Sequence, residues 1–428
     1  MIVYLIYILI IIVTLSLNII GEKKFKHRWN LNLGYGIPAL TMGIFLFLCS
    51  HPFFILSDFN KAYYPVGKLI LENPTNIYAN QCNNAGFVNL PILAILFIPF
   101  AFLKLTVAQI LITLLGCLSI ILTCYILVNY QKITKRKKIL LLVIIAINGP
   151  LFYSLRQGNS THFVLLLLLV ALICLENKRE LWGGILLAIS ALIKLPLFLF
   201  GIYFFLRGRW RVFLSMSVAT MAIVGISLLL FGVDLHQVWL QQCVQNNVGH
   251  PVAAYNVQSL DGFLARLLTD NNFFNWEPLK VGWQFKVIRY LLLSILVGGT
   301  ILVCWRSKPP ITLEEQNLEF SIVLCLATLI SPISWTHYYL FLLLPLSFYL
   351  GNRLAVPLER PWVNWVMLSV MLISLPVKRF QFDDPVLMFV IFKLLISHYF
   401  YGGLLLLVIL LAARWYSYKQ SHFSDLNK

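Results

Sequence analysis

The sequence has little charge of either sign, and acidic residues are especially scarce. Asp and Glu number 16 among 428 residues, and all charged residues make up 11%, against 60% hydrophobic residues. A soluble protein of this length needs a larger polar surface. Apolar runs of about 20 residues recur along the chain, and the long polar/apolar alternation of outer-membrane barrel strands is lacking. These features predict an all-α, polytopic transmembrane helical bundle.

The motifs of several catalytic classes are also lacking. There is no Gly-rich loop followed by Lys-Ser or Lys-Thr, no cluster of metal-ligand residues and no Ser/His/Asp or Cys/His pattern. We therefore expect no cofactor and no metal site. The formal net charge of +17 falls mostly in short clusters between apolar runs, which indicates membrane topology rather than a nucleic-acid partner.

Cysteine is too sparse for a disulfide framework. Six of the eight cysteines lie in apolar runs and are typical of small buried side chains. Cys82 and Cys243 lie in polar loops that we place on the same face. We expect both to be unpaired, and a disulfide between them is the alternative if that face is oxidising.

Basic clusters predict the topology, because Lys and Arg accumulate in cytoplasmic loops. The cluster from Lys23 to Arg28 follows an apolar run without a cleavage pattern, so we expect an uncleaved first span with its N-terminus outside. Alternation from there gives about 13 spans in one integral-membrane domain, residues 1–428, in the cell membrane. Two long outer loops result: 57–105, which carries interfacial helices, and 233–286.

Asp58 and Lys194 are the two charged residues whose positions are hardest to explain by a contribution to protein stability. Asp58 opens a polar segment directly after an apolar run, and Lys194 lies within an apolar stretch next to Pro196. Charges at such positions are costly unless they are solvated, paired or functional. The alternatives are that Asp58 is a helix N-cap and that Lys194 lies in an exposed turn of a shallow hairpin.

Other polar residues also fall at the predicted outer ends of spans. His337 alone is typical of a core histidine that bonds a carbonyl, Arg156 of a headgroup contact, and Trp335 of an interfacial aromatic belt. Their convergence at one membrane depth instead favours a site at the rim of the bundle.

Five blocks carry a resemblance to a known family. They are Asp58-Phe59 with Tyr63-Tyr64, Gln157-Gly158-Asn159, Gly184 to Lys194 and Pro196, Asn256-Gln258-Ser259 with Arg266, and Ser331-Pro332-Ile333-Ser334-Trp335 with His337. In these blocks the chain resembles glycosyltransferase family 87, the polyprenyl-phosphate-mannose-dependent mannosyltransferases of the GT-C class.

The resemblance implies a GT-C-type fold and a hexosyltransferase active on the extracytoplasmic side. A sugar, mannose, would pass with inversion from a polyprenyl-phosphate donor to an acceptor hydroxyl of a glycolipid or glycan. Asp58 would be the general base, and His337 a second catalytic residue. The donor phosphate would be bound by Lys194, Arg156 and Arg266. The substrates would be bound by Tyr63, Tyr64, Gln157, Asn159, Asn256, Gln258 and Trp335.

Two other functions remain open at this point. A lipid or glycolipid transporter would carry ionisable groups or broken helices near the bilayer midplane, and the short helices around Lys194 are the feature that fits it. A non-catalytic assembly factor would leave Asp58, Lys194 and His337 unexplained.

Overall fold

The computed structural model is helical throughout the part of the chain that it describes, as the composition predicts. The one strand-like feature in that part is an isolated antiparallel bridge between Val257 and Trp335. The predicted spans in the first 55 residues lie outside the described residues. The structure describes residues 56–78, 86–130, 134–146, 148–246, 248–269, 274, 276–374, 386 and 393–426.

The α-helices of eight or more residues are numbered here in chain order. They are α1 (Tyr64–Glu72), α2 (Leu105–Tyr130), α3 (Lys135–Ala146), α4 (Gly149–Gln157), α5 (Thr161–Glu176), α6 (Glu180–Ile193), α7 (Leu199–Leu206), α8 (Trp210–Trp239), α9 (Leu260–Leu268), α10 (Trp283–Arg306), α11 (Leu313–Ile330), α12 (Leu343–Leu350), α13 (Arg360–Ser374) and α14 (His398–Leu426).

Fewer helices are long enough to cross a membrane than the sequence predicts. Among the described residues, four helices qualify by length and composition, and the bent pair α3 and α4 would make a fifth. The predicted count of about 13 spans is therefore not confirmed. The reason is that tighter 3₁₀ turns interrupt the apolar runs, as at Leu195–Phe198 and Thr336–Leu342. Runs that look continuous in sequence become pairs of short helices.

Helices α5, α6 and α8 form the packed unit that supports the site. α6 packs against both of the others, and it can do so closely because it carries glycine at the contacts. A Cβ at Gly184 would lie 2.7 Å from the Cβ of Ser215 in α8, and one at Gly183 would lie 2.5 Å from a methyl carbon of Leu175 in α5. Small residues of this kind let helix backbones approach in membrane bundles.

Ion pairs gather at one end of this unit. Arg353 bonds Glu176 at 2.7 Å at the end of α5, and Arg209 bonds Glu180 at 2.9 Å at the start of α6. Glu319, fully buried near the start of α11, is paired with both Arg207 and Arg414. The opposite ends of α5, α6 and α11 lead to residues 159, 194 and 331. The helices therefore separate a charge-paired end from the end that carries the predicted site.

Cys243 is disulfide-bonded, so the expectation that it is unpaired is wrong. It lies buried in a π-helical turn, Leu240–Gln245, that continues α8. Cys82, the partner that the sequence offered, lies outside the described residues. Loop sequence alone carries no information on which cysteines meet in space. The sequence could therefore offer a disulfide of Cys243 only as the alternative.

Candidate active site

The turn Gln157-Gly158-Asn159 ends helix α4 and begins the site. Gly158 adopts the left-handed conformation with φ +63°. Its N–H donates to the carbonyl of Leu155 at 3.0 Å, and the N–H of Asn159 donates to that of Ser154 at 3.0 Å. This pair of hydrogen bonds is the Schellman motif, which favours glycine because other side chains are strained at positive φ. The motif turns the chain so that Asn159 faces the segment around Asp58.

Gly158 also makes room for that segment. A Cβ on residue 158 would lie 2.9 Å from the Cβ of Phe59 and 3.0 Å from a methyl carbon of Leu56. The N–H of Leu56 donates to the carbonyl of Arg156 at 2.7 Å, and Leu56 itself has φ +55°. A positive φ at a bulky non-glycine residue is strained and is found mostly where the surroundings enforce it. The chain thus holds residues 56–59 tightly against the turn.

Asn159 joins Asp58 to Lys194. Its Nδ2 donates to Asp58 Oδ2 at 2.6 Å, and its Oδ1 accepts from Lys194 Nζ at 3.1 Å. Oδ1 also accepts from the backbone N–H and the hydroxyl of Thr161, at 3.1 and 2.8 Å. Because a backbone N–H can only donate, this contact fixes which end of the amide is oxygen. One buried amide therefore holds the Asp58 carboxyl group and the Lys194 ammonium group in fixed positions relative to each other.

The Asp58 side chain does not cap the helix that follows it. Its side chain makes no capping hydrogen bond, so the N-cap alternative does not describe it. The residue precedes a π-helical turn, Phe59–Tyr63, a feature that recurs at functional sites. Loss of water around the carboxyl raises its pKa, and the Asn159 hydrogen bond and the charge of Lys194 counter part of that rise.

Lys194 lies in the break between α6 and a 3₁₀ turn, and its side chain turns inward. The residue is 6% exposed, so the exposed-hairpin alternative does not describe it. Its ammonium group lies 4.5 Å from the centre of the Tyr338 ring, within the range of a cation–π contact. The two partners of the ammonium group, the Tyr338 ring and the Asn159 amide oxygen, are both uncharged. No carboxylate of a described residue is in direct contact with it.

His337 and Gln157 connect the turn after α4 to the 3₁₀ turn Thr336–Leu342. His337 Nδ1 lies 2.8 Å from Gln157 Oε1. With the amide oxygen as acceptor, the imidazole proton is on Nδ1 and Nε2 carries a lone pair. Nε2 is buried and has no hydrogen-bond partner among the described residues, and the same holds for the hydroxyls of the nearby Thr336 and Ser334. Such unpaired buried polar atoms are costly in a resting protein and are typical of sites that receive a polar ligand.

Arg266 and Gln258, by contrast, are used within the protein. Arg266 is fully buried, and its guanidinium donates to the carbonyls of Ala254 and Val257 and to the hydroxyl of Ser397. Gln258 is also fully buried and donates to the carbonyls of Tyr255 and Ile396. The structure does not bring either side chain to the Asn159 amide. Their contacts hold the 251–258 segment in place.

Asn256 and Trp335 shape the edge of the same segment. The carbonyl of Asn256 accepts from the N–H of Thr336 at 2.9 Å, and its Oδ1 accepts from Trp276 at 2.9 Å. Trp335 forms the isolated bridge with Val257 and packs on a small apolar cluster. Both residues therefore position the chain immediately before His337.

The two predicted tyrosines lie on the Asp58 side. Tyr63 is buried and stacks on Phe97, with ring centres 4.5 Å apart and an angle of 2° between the rings. The hydroxyl of Tyr64 donates to the carbonyl of Leu103 at 2.9 Å. Arg156 is half-buried, and its guanidinium forms no hydrogen bond or ion pair with a described residue. Of the three predicted phosphate-binding cations, Lys194 alone contacts the Asn159 amide.

His162 is a neighbour of the site that the sequence did not reveal. Its Nδ1 lies 2.9 Å from the hydroxyl of Ser154, and its buried Nε2 has no hydrogen-bond partner in the part of the chain that the structure describes. The available signal is its position three residues after Asn159, one turn into α5. A histidine at the start of an apolar helix is also typical of a hydrogen-bonded core residue. The sequence pattern alone therefore does not distinguish a core histidine from a site histidine.

Comparison with known proteins agrees with the resemblance seen in the motifs. The family model described as "Glycosyltransferase family 87" matches residues 87–332. This range contains Gln157, Asn159 and Lys194, and it leaves Asp58 and His337 outside.

Two curated mycobacterial proteins are similar to the chain. One, from Mycolicibacterium smegmatis, is named a polyprenol-phosphate-mannose-dependent alpha-(1-2)-phosphatidylinositol pentamannoside mannosyltransferase and is 25% identical over 224 residues, 52% of this chain and 51% of that protein. The other, from Mycobacterium tuberculosis, is named a polyprenol-phosphate-mannose-dependent alpha-(1-2)-phosphatidylinositol mannoside mannosyltransferase and is 23% identical over 279 residues, 61% of each chain. The matches thus span between half and two thirds of these relatives. The family model matches more than half of this chain, so the chain belongs to glycosyltransferase family 87.

Proposed function

We propose that this protein is a membrane glycosyltransferase that moves a mannosyl group from a polyprenyl-phosphate donor to a hydroxyl of a glycolipid acceptor. The observation that carries the proposal is the Asp58–Asn159–Lys194 bridge. Family membership and the names of the two relatives support the donor and the acceptor class. The extracytoplasmic location rests on the positive charge of the opposite loops.

The bridge supplies the two groups that sugar transfer from a lipid phosphate needs. As the acceptor oxygen forms its bond to C1 of the sugar, its proton passes to the Asp58 carboxylate. The bond between C1 and the phosphate oxygen breaks, and its electron pair leaves with the lipid phosphate. The negative charge that grows there is stabilised by the Lys194 ammonium. A nucleotide-binding domain is unnecessary because the lipid brings the phosphate to the site.

The dimensions of the bridge suit an inverting displacement. Its two hydrogen bonds and the width of one amide limit the separation between Asp58 Oδ2 and Lys194 Nζ to about 8 Å. Inverting glycosidases place their two carboxyl groups roughly 6.5–9.5 Å apart so that reactants fit between them. The upper limit falls within this range, so the bridge is compatible with base and cation on opposite sides of the sugar ring.

His337 is proposed to bind the substrates through its free Nε2. With a lone pair on this atom, the imidazole accepts a hydrogen bond from a sugar or acceptor hydroxyl, and Gln157 keeps the ring in place. The unpaired hydroxyls of Ser334 and Thr336 can bond further sugar oxygens. We assign no role in the transfer to Arg266 or Gln258, since the protein's own carbonyls already engage their donors.

The test is transfer by the purified protein in lipid vesicles. Labelled polyprenyl-phosphate mannose and a mixed glycolipid extract are offered to the wild type, to Asp58→Asn and to Asp234→Asn, a matched change of an exposed aspartate on α8. We expect labelled glycolipid from the wild type and Asp234→Asn, and none from Asp58→Asn.

Two outcomes would contradict the proposal in different ways. Equal product from all three proteins would leave a transferase in which Asp58 is not the base. No product from any of them, with labelled donor crossing the bilayer, would replace the transferase by the transporter alternative.

A further inference from the structure

The helix that begins at Asp58 carries exposed lysines whose charge the site chemistry does not use. Lys61 lies in the π-helical turn directly after Asp58, and Lys68 lies in α1, seven residues further along the chain. Both side chains are exposed. Neither forms an ion pair with a described residue, although Glu72 lies four residues after Lys68. Two exposed cations thus lie on the helical segment after the proposed base, and the charge of Lys61 also acts to lower the pKa of Asp58.

This surface is fixed in position rather than part of a mobile loop. A Cβ at Gly67 would lie 2.3 Å from the carbonyl oxygen of Phe97, so α1 rests directly on the 91–97 turn. The Tyr64 hydroxyl bonds the carbonyl of Leu103, and Lys68 Nζ lies 4.9 Å from the centre of the Tyr64 ring. Lys104, the residue after this anchor, is a third exposed lysine.

Large apolar side chains are exposed beside these lysines. Phe102 is 76% exposed and Leu96 is 59% exposed, both on the segment against which α1 packs. Apolar side chains next to lysines at a membrane boundary fit acyl chains below and headgroup phosphates above. A free phosphate ion would use the lysines alone and would leave the apolar residues in water. The combination therefore favours a lipid over a soluble anion.

We propose that Lys61 and Lys68, with Lys104 beside them, bind the phosphate of an anionic phospholipid whose sugar headgroup is the acceptor. This inference rests on the proposed function and assigns the acceptor its own anion site, separate from the donor phosphate at Lys194. Lys68 lies ten residues after Asp58, so the two positions are at most about 15 Å apart along the helix axis. A phosphate held on this surface leaves the headgroup sugars free to reach Asp58.

Binding tests the site independently of transfer. The purified protein in uncharged detergent is titrated with fluorescent short-chain phosphatidylglycerol and with the matching phosphatidylcholine. The variants are Lys61→Gln with Lys68→Gln and, as a matched control, Lys280→Gln with Lys286→Gln, two exposed lysines near the start of α10. We expect the wild type and the control to prefer phosphatidylglycerol, and the Lys61/Lys68 variant to lose about tenfold or more of that affinity.

The same variants separate acceptor from donor in the transfer assay. The Lys61/Lys68 variant should raise the acceptor KM about tenfold, with the donor KM unchanged, and its acceptor KM should respond less to added salt. A variant that keeps the lipid preference would overturn this inference, as would inorganic phosphate that competes as well as phosphatidylglycerol. If the wild type binds phosphatidylglycerol but transfers no sugar, the proposed function fails while the anion site stands.

Discussion

Gly158 and Phe59 approach so closely that a Cβ on residue 158 would lie 2.9 Å from the Cβ of Phe59. This contact, with the positive φ of Gly158, sets the distance between the Asn159 turn and the Asp58 helix. The first prediction follows from it. Gly158→Ala should destabilise the protein by about 1–2 kcal/mol from backbone strain alone, and it should lower transfer further by moving Asp58 away from Asn159.

Thermal unfolding of the detergent-solubilised protein measures that loss. Gly225→Ala on α8 is the control, because nothing lies within 4 Å of its added Cβ and alanine is the better helix former. Gly158→Ala with the melting temperature and activity of the wild type would show that the turn does not control the position of Asp58.

The pH dependence of transfer should report on the Asn159 amide. Burial raises the pKa of Asp58 above its ordinary value, so activity should fall as the pH drops through a value above that of a free aspartate. The Asn159 hydrogen bond lowers this pKa. Its loss in Asn159→Ala should therefore move the acid limb of the profile to higher pH, as well as lower kcat.

Asn177→Ala provides the matched substitution at the other end of α5. Asn177 is exposed, and its side-chain amide donates to the carbonyl of Ile173 one turn earlier in α5. Its pH profile should superimpose on that of the wild type. An unchanged acid limb in Asn159→Ala would mean that Asp58 is not the group whose titration controls the rate.

His337 and Gln157 should behave as one unit. Because they contact each other at 2.8 Å, Gln157→Leu and His337→Phe should each reduce kcat/KM, and the double variant should be little worse than the poorer single one. The double-mutant cycle should give a coupling energy of about 0.5–3 kcal/mol. Additive losses would indicate that the two side chains act separately.

Arg266 should be a structural arginine. Its substitution by Met leaves the carbonyl of Val257 without its donor, at a cost of about 1–3 kcal/mol for a buried unsatisfied group. The carbonyl of Ala254 loses the arginine but keeps the N–H of Val257 as a donor. We expect a marked fall in melting temperature, no rescue by Arg266→Lys, and an unchanged donor KM in whatever protein remains folded. Arg156→Met, which removes a half-buried side chain without such contacts, should leave stability nearly unchanged.

An Arg266→Lys protein with normal stability and a raised donor KM would reverse this assignment. It would return Arg266 to the phosphate-binding role that the sequence suggested. Arg156→Met would then need to be compared for the donor KM as well, since its guanidinium has no hydrogen bond or ion pair with the described residues.

The sequence was informative where a residue contradicted its surroundings. Asp58 and Lys194 lie next to or within apolar stretches, and that cost marked them for attention. Arg266 and Gln258 were proposed through the family resemblance, yet their partners are mainly backbone carbonyls, which occur at every residue and leave no signal in a sequence. His162 was missed because a histidine one turn into an apolar helix resembles a core residue.

The predicted span count was not confirmed for a different physical reason. Hydropathy measures whether a stretch prefers an apolar environment, and it does not measure whether the helix continues. The stretch from Glu180 to Leu206 is broken at Lys194, where the backbone leaves the helical region with φ −134° and ψ 89°. This break orients the Lys194 side chain toward Asn159. The same backbone feature therefore divides an apolar stretch that looks continuous and positions a residue of the candidate site.

In the proposed function, the length of α5 bears on the depth at which transfer takes place. Its 16 residues extend about 24 Å, whereas the hydrocarbon core of a bilayer is about 30 Å thick. If the predicted topology places the Glu176–Arg353 pair at one water boundary, the Asn159 turn falls a few ångströms short of the other. A polyprenyl phosphate would then need only to sink slightly below its usual level to meet Lys194. Bulk water would be kept from the sugar until an acceptor hydroxyl takes its place.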